Sequence, residues 1–224
     1  GSDRKRFIHM TNFHILTIFP KIFDSYFNES ILKRAQEKKL IKIKIHNLRD
    51  FTNDKHKTVD DSPYGGGPGM VLKIEPIYKA VRAITKIQDT RYKTKKTRVI
   101  LFSTRGKKFD QKTAQRLAKY KNLILICGRY EGVDERVAKY IADEEISVGD
   151  FILSGGELPA MILAEAVSRF IPGVLGKQES LETIKGSYPV FTRPENFNDW
   201  KVPKLLLSGD HKKIDNWRRR YYTG

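Results

Sequence analysis

Two glycine-bearing segments are the parts of the sequence best suited to bind a small ligand. The first, residues 127–132 (CGRYEG), directly follows a run of branched apolar residues at 123–126 that predicts a buried strand. The second, residues 148–157 (VGDFILSGGE), ends where a helix is expected to begin. Because glycine lacks a Cβ, such loops let a flat ligand approach the backbone closely. The sequence therefore predicts a ligand site at strand ends.

Neither segment carries a phosphate-binding fingerprint. Neither contains G-x-x-x-x-G-K-[ST], and neither contains G-x-G-x-x-G. We therefore expect backbone N–H and C=O groups to hold a ligand that has no pyrophosphate. A nucleotide hydrolase built on these loops is poorly supported, since the phosphate-binding lysine motif is missing from the sequence.

Strands and helices alternate around the two glycine segments. Apolar runs and turn residues predict strands over residues 13–19, 41–45, 98–103 and 123–126. Helices are expected over residues 30–39, 75–87, 110–120 and 157–170, the last of them amphipathic. Asp110 is expected to cap the third helix. This alternation predicts an α/β domain with a mainly parallel sheet.

The composition indicates a polyanionic partner. The 224 residues include 43 Lys and Arg against 26 Asp and Glu, a formal net charge of +17. Nucleic acid is the commonest polyanion that such a surplus serves, and a lysine-rich composition that only favours solubility is the alternative. The single cysteine, Cys127, excludes an internal disulfide and fits a reducing cytosol, and we expect it to be packed.

Membrane and metal partners are not expected. No apolar run approaches the ~20 residues that a membrane helix needs. The five histidines are scattered along the chain without metal-ligand spacing, which predicts no structural metal.

Three long motifs occur in order along the chain. They are residues 60–70 (DDSPYGGGPGM), residues 127–137 (CGRYEGVDERV), and residues 146–156 continuing to 168–176 (SRFIPGVLG). Together they resemble the TrmD family, the bacterial tRNA (guanine-N1)-methyltransferases of the SPOUT class. The similarity extends from residue 13 to residue 176, and it resumes at 192–195 and 205–209.

The resemblance implies a fold, a reaction and a set of site residues. Members of this family bind S-adenosylmethionine in a deep trefoil knot, act as homodimers in the cytoplasm, and methylate N1 of the guanosine 3′ to the anticodon of tRNA. By resemblance, Tyr64, Pro68 and Gly69 lie near the target base. The residues implied to bind the cofactor are Ser103, Thr104, Gly128, Glu131, Val148, Gly149, Asp150, Phe151, Ile152, Leu153, Gly155 and Gly156.

Two further groups are implied for the chemistry. Guanine N1 bears a proton at neutral pH and its oxygen gains negative charge, so a base and a cation are required. Arg169 matches the family's charge-stabilising arginine, although an exposed helix pair with Glu165 is the alternative. The family's aspartate is not evident after Gly176, and Glu182 is the nearest carboxylate, with Glu179 behind it. Alternatively, both glutamates are solvated linker charges.

The resemblance also divides the chain. We expect an expression leader at residues 1–9, an adenosylmethionine-binding domain at 10–174, an interdomain linker at 175–198, and a shortened helical tRNA-binding segment at 199–224. The missing aspartate and the short final segment leave open a second hypothesis. In it, the chain is a catalytically impaired RNA-binding relative that retains the cofactor pocket.

Overall fold

The computed structural model describes residues 10–85, 96–175 and 188–221. The chain forms two compact units, residues 1–176 and residues 177–224. The predicted division into leader, domain, linker and tRNA-binding segment stays a prediction. No helix within the described ranges is long and apolar enough to cross a bilayer.

A five-stranded sheet forms the centre of the first unit. Its strands are β1 (Thr11–Thr17), β2 (Ile41–Asn47), β5 (Thr97–Lys108), β6 (Asn122–Ile126) and β7 (Glu144–Ser147). They lie in the order β2-β1-β6-β5-β7, and every neighbouring pair is parallel. Two short strands, β3 (Asp60–Asp61) and β4 (Val71–Leu72), pair antiparallel. The mainly parallel α/β fold predicted from the sequence is confirmed, and the trefoil knot stays a prediction.

Helices cover both faces of this sheet. They are α1 (Asp24–Phe27), α2 (Ser30–Glu37), α3 (Ile74–Thr85), α4 (Gln111–Leu117) and α5 (Glu157–Ser168), with a π-helix at Val137–Ile141 and 3₁₀ turns at Pro20–Phe23 and Leu48–Phe51. The Asp110 carboxylate accepts a hydrogen bond from the Thr113 backbone N–H at 2.7 Å, which confirms the predicted cap.

Alternating side chains of the strands supply two separate cores. In β6, Leu123 and Leu125 join the core beneath α2, α4 and α5, while Ile124 and Ile126 join the core beneath α3 and the π-helix. All four side chains are fully buried. A central parallel strand buried on both faces requires this continuous apolar run, which explains why residues 123–126 contain only leucine and isoleucine.

Two elements differ from their predictions. Strand β5 continues past residue 103 to Lys108, and its register breaks so that Ile146 of β7 lies opposite both Phe102 and Lys107. Helix α5 is not amphipathic, and that prediction was wrong. Its inner face is buried, but Leu158 and Ile162 on the outer face are 54% and 45% exposed.

The second unit contains a hairpin and two helices. Strands β8 (Asn196–Phe197) and β9 (Trp200–Lys201) pair antiparallel, followed by α6 (Lys204–Leu207) and α7 (His211–Arg219). Ile214 of α7 is buried, and the guanidinium of Arg218 lies 4.8 Å from the ring centre of Tyr188.

Two histidines form a buried stack on the first two strands. The rings of His14 in β1 and His46 in β2 are 5.2 Å apart, with Nδ1 of His14 3.0 Å from Nε2 of His46. Burial lowers the pKa of His14 to about 4, helped by the charges of His46, Lys44 and Lys42. Burial, with Lys44, also lowers the pKa of His46. The pair is therefore stable in its neutral form.

This stack predicts acid-dependent stability. Because the folded pKa of His14 is below its ordinary value of 6.5, the unfolded chain takes up this proton first as the pH falls. The contribution of His14 is present above pH 6.5 and is lost progressively toward pH 4. In urea denaturation, we expect the free energy of unfolding to fall by about 2 kcal/mol from this group between about pH 7 and pH 5.

The variant His14→Phe should show a clearly smaller drop over the same pH interval, because it cannot take up the proton. His211→Gln, which changes an exposed histidine of the second unit, is the matched control and should keep the wild-type drop. An equally steep drop in His14→Phe would contradict the assignment.

Candidate functional site

A cavity of about 580 Å³ opens where the strands β5, β6 and β7 end. The two glycine segments meet there. Its wall is formed by residues 101–105 of β5, residues 128–133 after β6, residues 145–149, and residues 151–156 leading into α5. Ligands of parallel α/β sheets bind at such carboxyl ends of strands.

The structure brings together eleven of the twelve predicted cofactor residues. Those that line the cavity are Ser103, Thr104, Gly128, Glu131, Val148, Gly149, Phe151, Ile152, Leu153, Gly155 and Gly156. Asp150 is not among the lining residues, because its exposed carboxylate turns to Lys108 Nζ at 2.5 Å. Cofactor binding by these residues stays a prediction.

The two glycine segments touch through their backbones. The N–H of Gly156 donates to the carbonyl oxygen of Gly128 at 3.0 Å, and Arg129 and Gly155 form an antiparallel bridge. A Cβ on Gly156 would lie 2.6 Å from the Cα of Cys127. Only glycine therefore permits this approach, which holds one wall of the cavity against the other.

The first motif reaches the same cavity through its last glycine. Gly69 has φ +76°, and a Cβ there would lie 2.7 Å from Glu131 Cγ. The backbone N–H of Glu131 donates to the carbonyl oxygen of Met70 at 3.0 Å. The side chains of Tyr64 and Pro68 are exposed, so the predicted RNA-contacting segment borders the cavity as an open rim.

Arg169, the predicted charge-stabilising residue, lies away from the cavity of its own chain. Arg169 caps the C-terminal end of α5, whereas Pro159 in the first turn of that helix lines the cavity. Ten residues of helix separate them by about 15 Å. Arg169 is not among the described residues that line the cavity of its own chain. Glu182 and Glu179 lie outside the described residues.

Sequence reasoning missed several charged groups of the cavity. Arg105 Nη2 lies 2.7 Å from Glu135 Oε2 and 3.9 Å from Glu145 Oε2, and all three residues line the wall. The hydrogen bond that Arg105 donates to the Glu135 carboxylate is the main cause of the raised pKa of Arg105. Glu145 Oε2 is buried and has no hydrogen-bond partner among the described atoms. No local signal marks Glu145, because it follows two other acidic residues at the start of a short strand.

A second missed feature is the pair formed by Arg129 and Glu157. Nε of Arg129 donates to Oε2 of Glu157 at 2.9 Å, beside the glycine contact. Both residues stand in the glycine segments, but 28 positions of sequence separate them. Their pairing becomes visible only after the sheet brings the segments together. Within the described ranges, no group of three or more His, Cys, Asp or Glu side chains is placed to hold a metal ion.

Nearly all of the chain matches one family. A family model described as tRNA (Guanine-1)-methyltransferase TrmD matches residues 11–223. The chain belongs to the TrmD family. The family predicted from the three motifs is thereby confirmed.

Curated TrmD relatives and a solved TrmD structure agree with this assignment. A protein of Dictyoglomus turgidum named tRNA (guanine-N(1)-)-methyltransferase is 54% identical over 216 residues, covering 94% of this chain and 84% of the relative. A Clostridioides difficile protein of the same name is 50% identical over 212 residues, covering 92% and 90%. The crystal structure of tRNA (m1G37) methyltransferase from Aquifex aeolicus superposes with a TM-score of 0.78 at 45% identity, covering 94% of this chain and 89% of that chain.

The glycine contact of this TrmD chain predicts a steric test. Gly156→Ala would place a methyl group against the backbone at Cys127, and neither backbone can yield easily. We expect urea denaturation to show a loss of about 1–3 kcal/mol in the free energy of unfolding, the usual range for overpacking.

Gly128→Ala is the matched control in the same contact. A Cβ there would make only an ordinary 3.6 Å contact with Cγ1 of Val133. We expect it to leave the free energy of unfolding within about 1 kcal/mol of wild type. Equal stability of the two alanine variants would show that the close approach of Gly156 is not a constraint.

Proposed function

We propose that this chain transfers a methyl group from S-adenosylmethionine to N1 of the guanosine 3′ to the anticodon in tRNA. One observation carries the proposal most directly. Residues of the second and third motifs line a single cavity at the strand ends, and Gly69 of the first motif packs against Glu131 in its wall. Family membership and the names of the relatives support the same reaction. The net charge of +17 suits a tRNA substrate.

The cavity suits S-adenosylmethionine. Its two arginines are both paired with carboxylates, Arg105 with Glu135 and Arg129 with Glu157, which fits a ligand without phosphates. Oε2 of Glu145 lies 3.9 Å from Arg105 but accepts no hydrogen bond within the described residues, so it suits an amino or hydroxyl donor of a nucleoside. When bound, the cofactor supplies a methyl group activated by a sulfonium. The glycine backbones and Glu131 would hold it.

Two side chains are proposed to act on guanine. The guanidinium of Arg169 stabilises the negative charge that develops on the guanine oxygen. Glu182 accepts the N1 proton, because it is the carboxylate nearest in sequence to the position where the family has its aspartate. Both roles derive from the resemblance.

A homodimer would explain how Arg169 acts at a cavity from which about 15 Å of helix separates it within one chain. Leu158, Ile162, Glu165 and Arg169 recur at helical spacing on the outer face of α5, and the two apolar members are exposed. Tyr26, also partly exposed, donates its hydroxyl proton to Glu165 and extends this surface. If two α5 helices pack antiparallel across a two-fold axis, the partner's Arg169 lies beside the helix start that lines the cavity.

The remaining assignments follow from the same proposal. The second unit carries basic residues on and just after α7, namely Lys212, Lys213, Arg218, Arg219 and Arg220. We assign them to contacts with tRNA phosphates. A tRNA-modifying enzyme acts where tRNA matures, so we place the protein in the cytoplasm.

The reaction predicts a loss of turnover when Arg169 is truncated. With labelled S-adenosylmethionine and a tRNA bearing guanosine 3′ to its anticodon, wild type should transfer label to N1 of that base. Arg169→Ala should lower kcat by about 10²–10³-fold, because the charge on the guanine oxygen loses its stabilising donor. Glu182→Gln should lower kcat by about 10²–10⁴-fold.

Arg34→Ala is the control, because Arg34 is an exposed arginine of α2, and it should keep wild-type turnover. Mass analysis of nuclease-digested tRNA identifies the methylated atom. If wild type binds neither S-adenosylmethionine nor tRNA and transfers no label, the proposed function is wrong.

The dimer predicts complementation between two inactive variants. Arg169→Ala lacks the cation, and Gly128→Trp fills the cavity. A mixed dimer then holds one site with an intact cavity and the partner's Arg169. Coexpression at equal amounts should restore about a quarter of wild-type turnover, because about half of the dimers are mixed and each has one complete site.

If each chain builds its whole site alone, coexpression restores nothing. Ile162→Glu provides the second measurement, since a charge on the outer face of α5 should halve the mass seen by light scattering. An unchanged mass would show that the outer face of α5 does not form the dimer interface.

A further inference from the structure

Two buried polar groups and a partly exposed guanidinium meet beneath the glycine contact. Oε1 of Glu157 accepts from the hydroxyl of Thr17 at 2.7 Å, and Oε2 accepts from Nε of Arg129 at 2.9 Å. Thr17 is fully buried, and Glu157 is only 2% exposed. The hydroxyl oxygen of Thr17 also accepts from the backbone N–H of Phe19 at 2.9 Å. The carboxylate of Glu157 is therefore buried with both of its oxygens satisfied.

A helix start and a guanidinium surround this carboxylate. Glu157 is the first residue of α5, where the helix dipole favours negative charge. The guanidinium of Arg129 provides the compensating charge and itself lies 4.7 Å from the ring centre of Phe19. A buried carboxylate that loses such a partner is strongly destabilised, so the two charges hold each other in place.

The cluster joins three elements of the fold. Thr17 ends β1, Arg129 belongs to the loop after β6, and Glu157 begins α5. Arg129 and Gly155 form the bridge between the two glycine loops, and a Cβ on Gly155 would lie 2.6 Å from Oε2 of Glu157. The ion pair thus sits directly against the backbone that lines the cavity.

We propose that Glu157 is a positioning residue for the cofactor. Through Arg129 and Thr17 it locks the loop after β6 against the loop before α5. The cavity is then formed before the ligand arrives, and the free energy of binding is not reduced by the cost of ordering two glycine loops. This inference rests on the proposed function, since it concerns how the same cavity accepts an adenosyl ligand.

The test is the affinity of the intact protein for S-adenosylhomocysteine, measured by titration calorimetry. Glu157→Gln keeps the shape of the side chain but removes the charge that holds Arg129. We expect its Kd to rise at least tenfold. Thr17→Val removes both hydrogen bonds of the hydroxyl but keeps the volume and leaves the ion pair in place, so its Kd should rise by a smaller factor. The variant Thr17→Val also keeps the test usable if Glu157→Gln does not fold.

Glu144→Gln is the matched control, because Glu144 forms a partly buried ion pair away from the cavity wall. It accepts from Arg98 Nε at 2.8 Å and lies 2.7 Å from Arg116 Nη2. Its neighbour Glu145 lines the cavity. Because successive residues of a strand face opposite sides, Glu144 faces away from it. Glu144→Gln should lower the free energy of unfolding and leave the Kd unchanged.

The outcomes separate the two proposals. A wild-type protein that binds no S-adenosylhomocysteine contradicts the proposed function. A wild-type protein that binds it, together with Glu157→Gln and Thr17→Val variants of unchanged Kd, overturns the positioning role alone. If Glu157→Gln loses stability as Glu144→Gln does, with no loss of affinity, the ion pair only supports the fold.

Discussion

The contact between the Gly156 N–H and the Gly128 carbonyl oxygen is the constraint on which the site depends. It joins the loop after β6 to the loop before α5 at 3.0 Å, leaving no space for a side chain at Gly156. Because the contact is made by backbone, it creates a cavity wall of N–H and C=O groups. A wall of this kind recognises a ligand by the edge of a flat ring, without a dedicated cation.

The same contact brings charged side chains into the protein interior. The chain direction at Arg129 and Glu157 is set by the bridge at Gly155, and their side chains then share one buried space. A buried carboxylate is costly alone, but the partly exposed guanidinium of Arg129 compensates the charge of Glu157. The glycine-lined wall is therefore supported by an ion pair directly behind it. No comparable ion pair supports the rim of the cavity at Tyr64 within the described residues, and the ring of Tyr64 is fully exposed. A rigid wall and an open rim suit a site that must admit a nucleotide from a large RNA.

Local patterns in the sequence predicted those features that depend on neighbouring residues. The apolar run at 123–126 predicted a strand buried on both faces, and Asp110 predicted the start of α4, because strand burial and helix capping are short-range effects. The continuation of β5 beyond residue 103 was missed, since it depends on Gly106 lying against the backbone of β7, with a Cβ distance of 2.5 Å to Ile146 N. The ion pair of Arg129 and Glu157 was missed for the same reason. Its partners meet only after the sheet has formed.

Helix α5 shows why a local pattern also failed. An amphipathic helix was expected over residues 157–170. The structure shows apolar residues on the outer face as well, at Leu158 and Ile162. An exposed apolar face that ends in a charged residue is costly to leave in water but suits a second protein surface. The helix starts at the cavity and ends at Arg169 about 15 Å away. It packs its inner face on its own sheet, and in the proposed dimer its outer face packs on a second chain. Apolar residues on both faces fit such double packing, which a pattern read for a single chain does not represent.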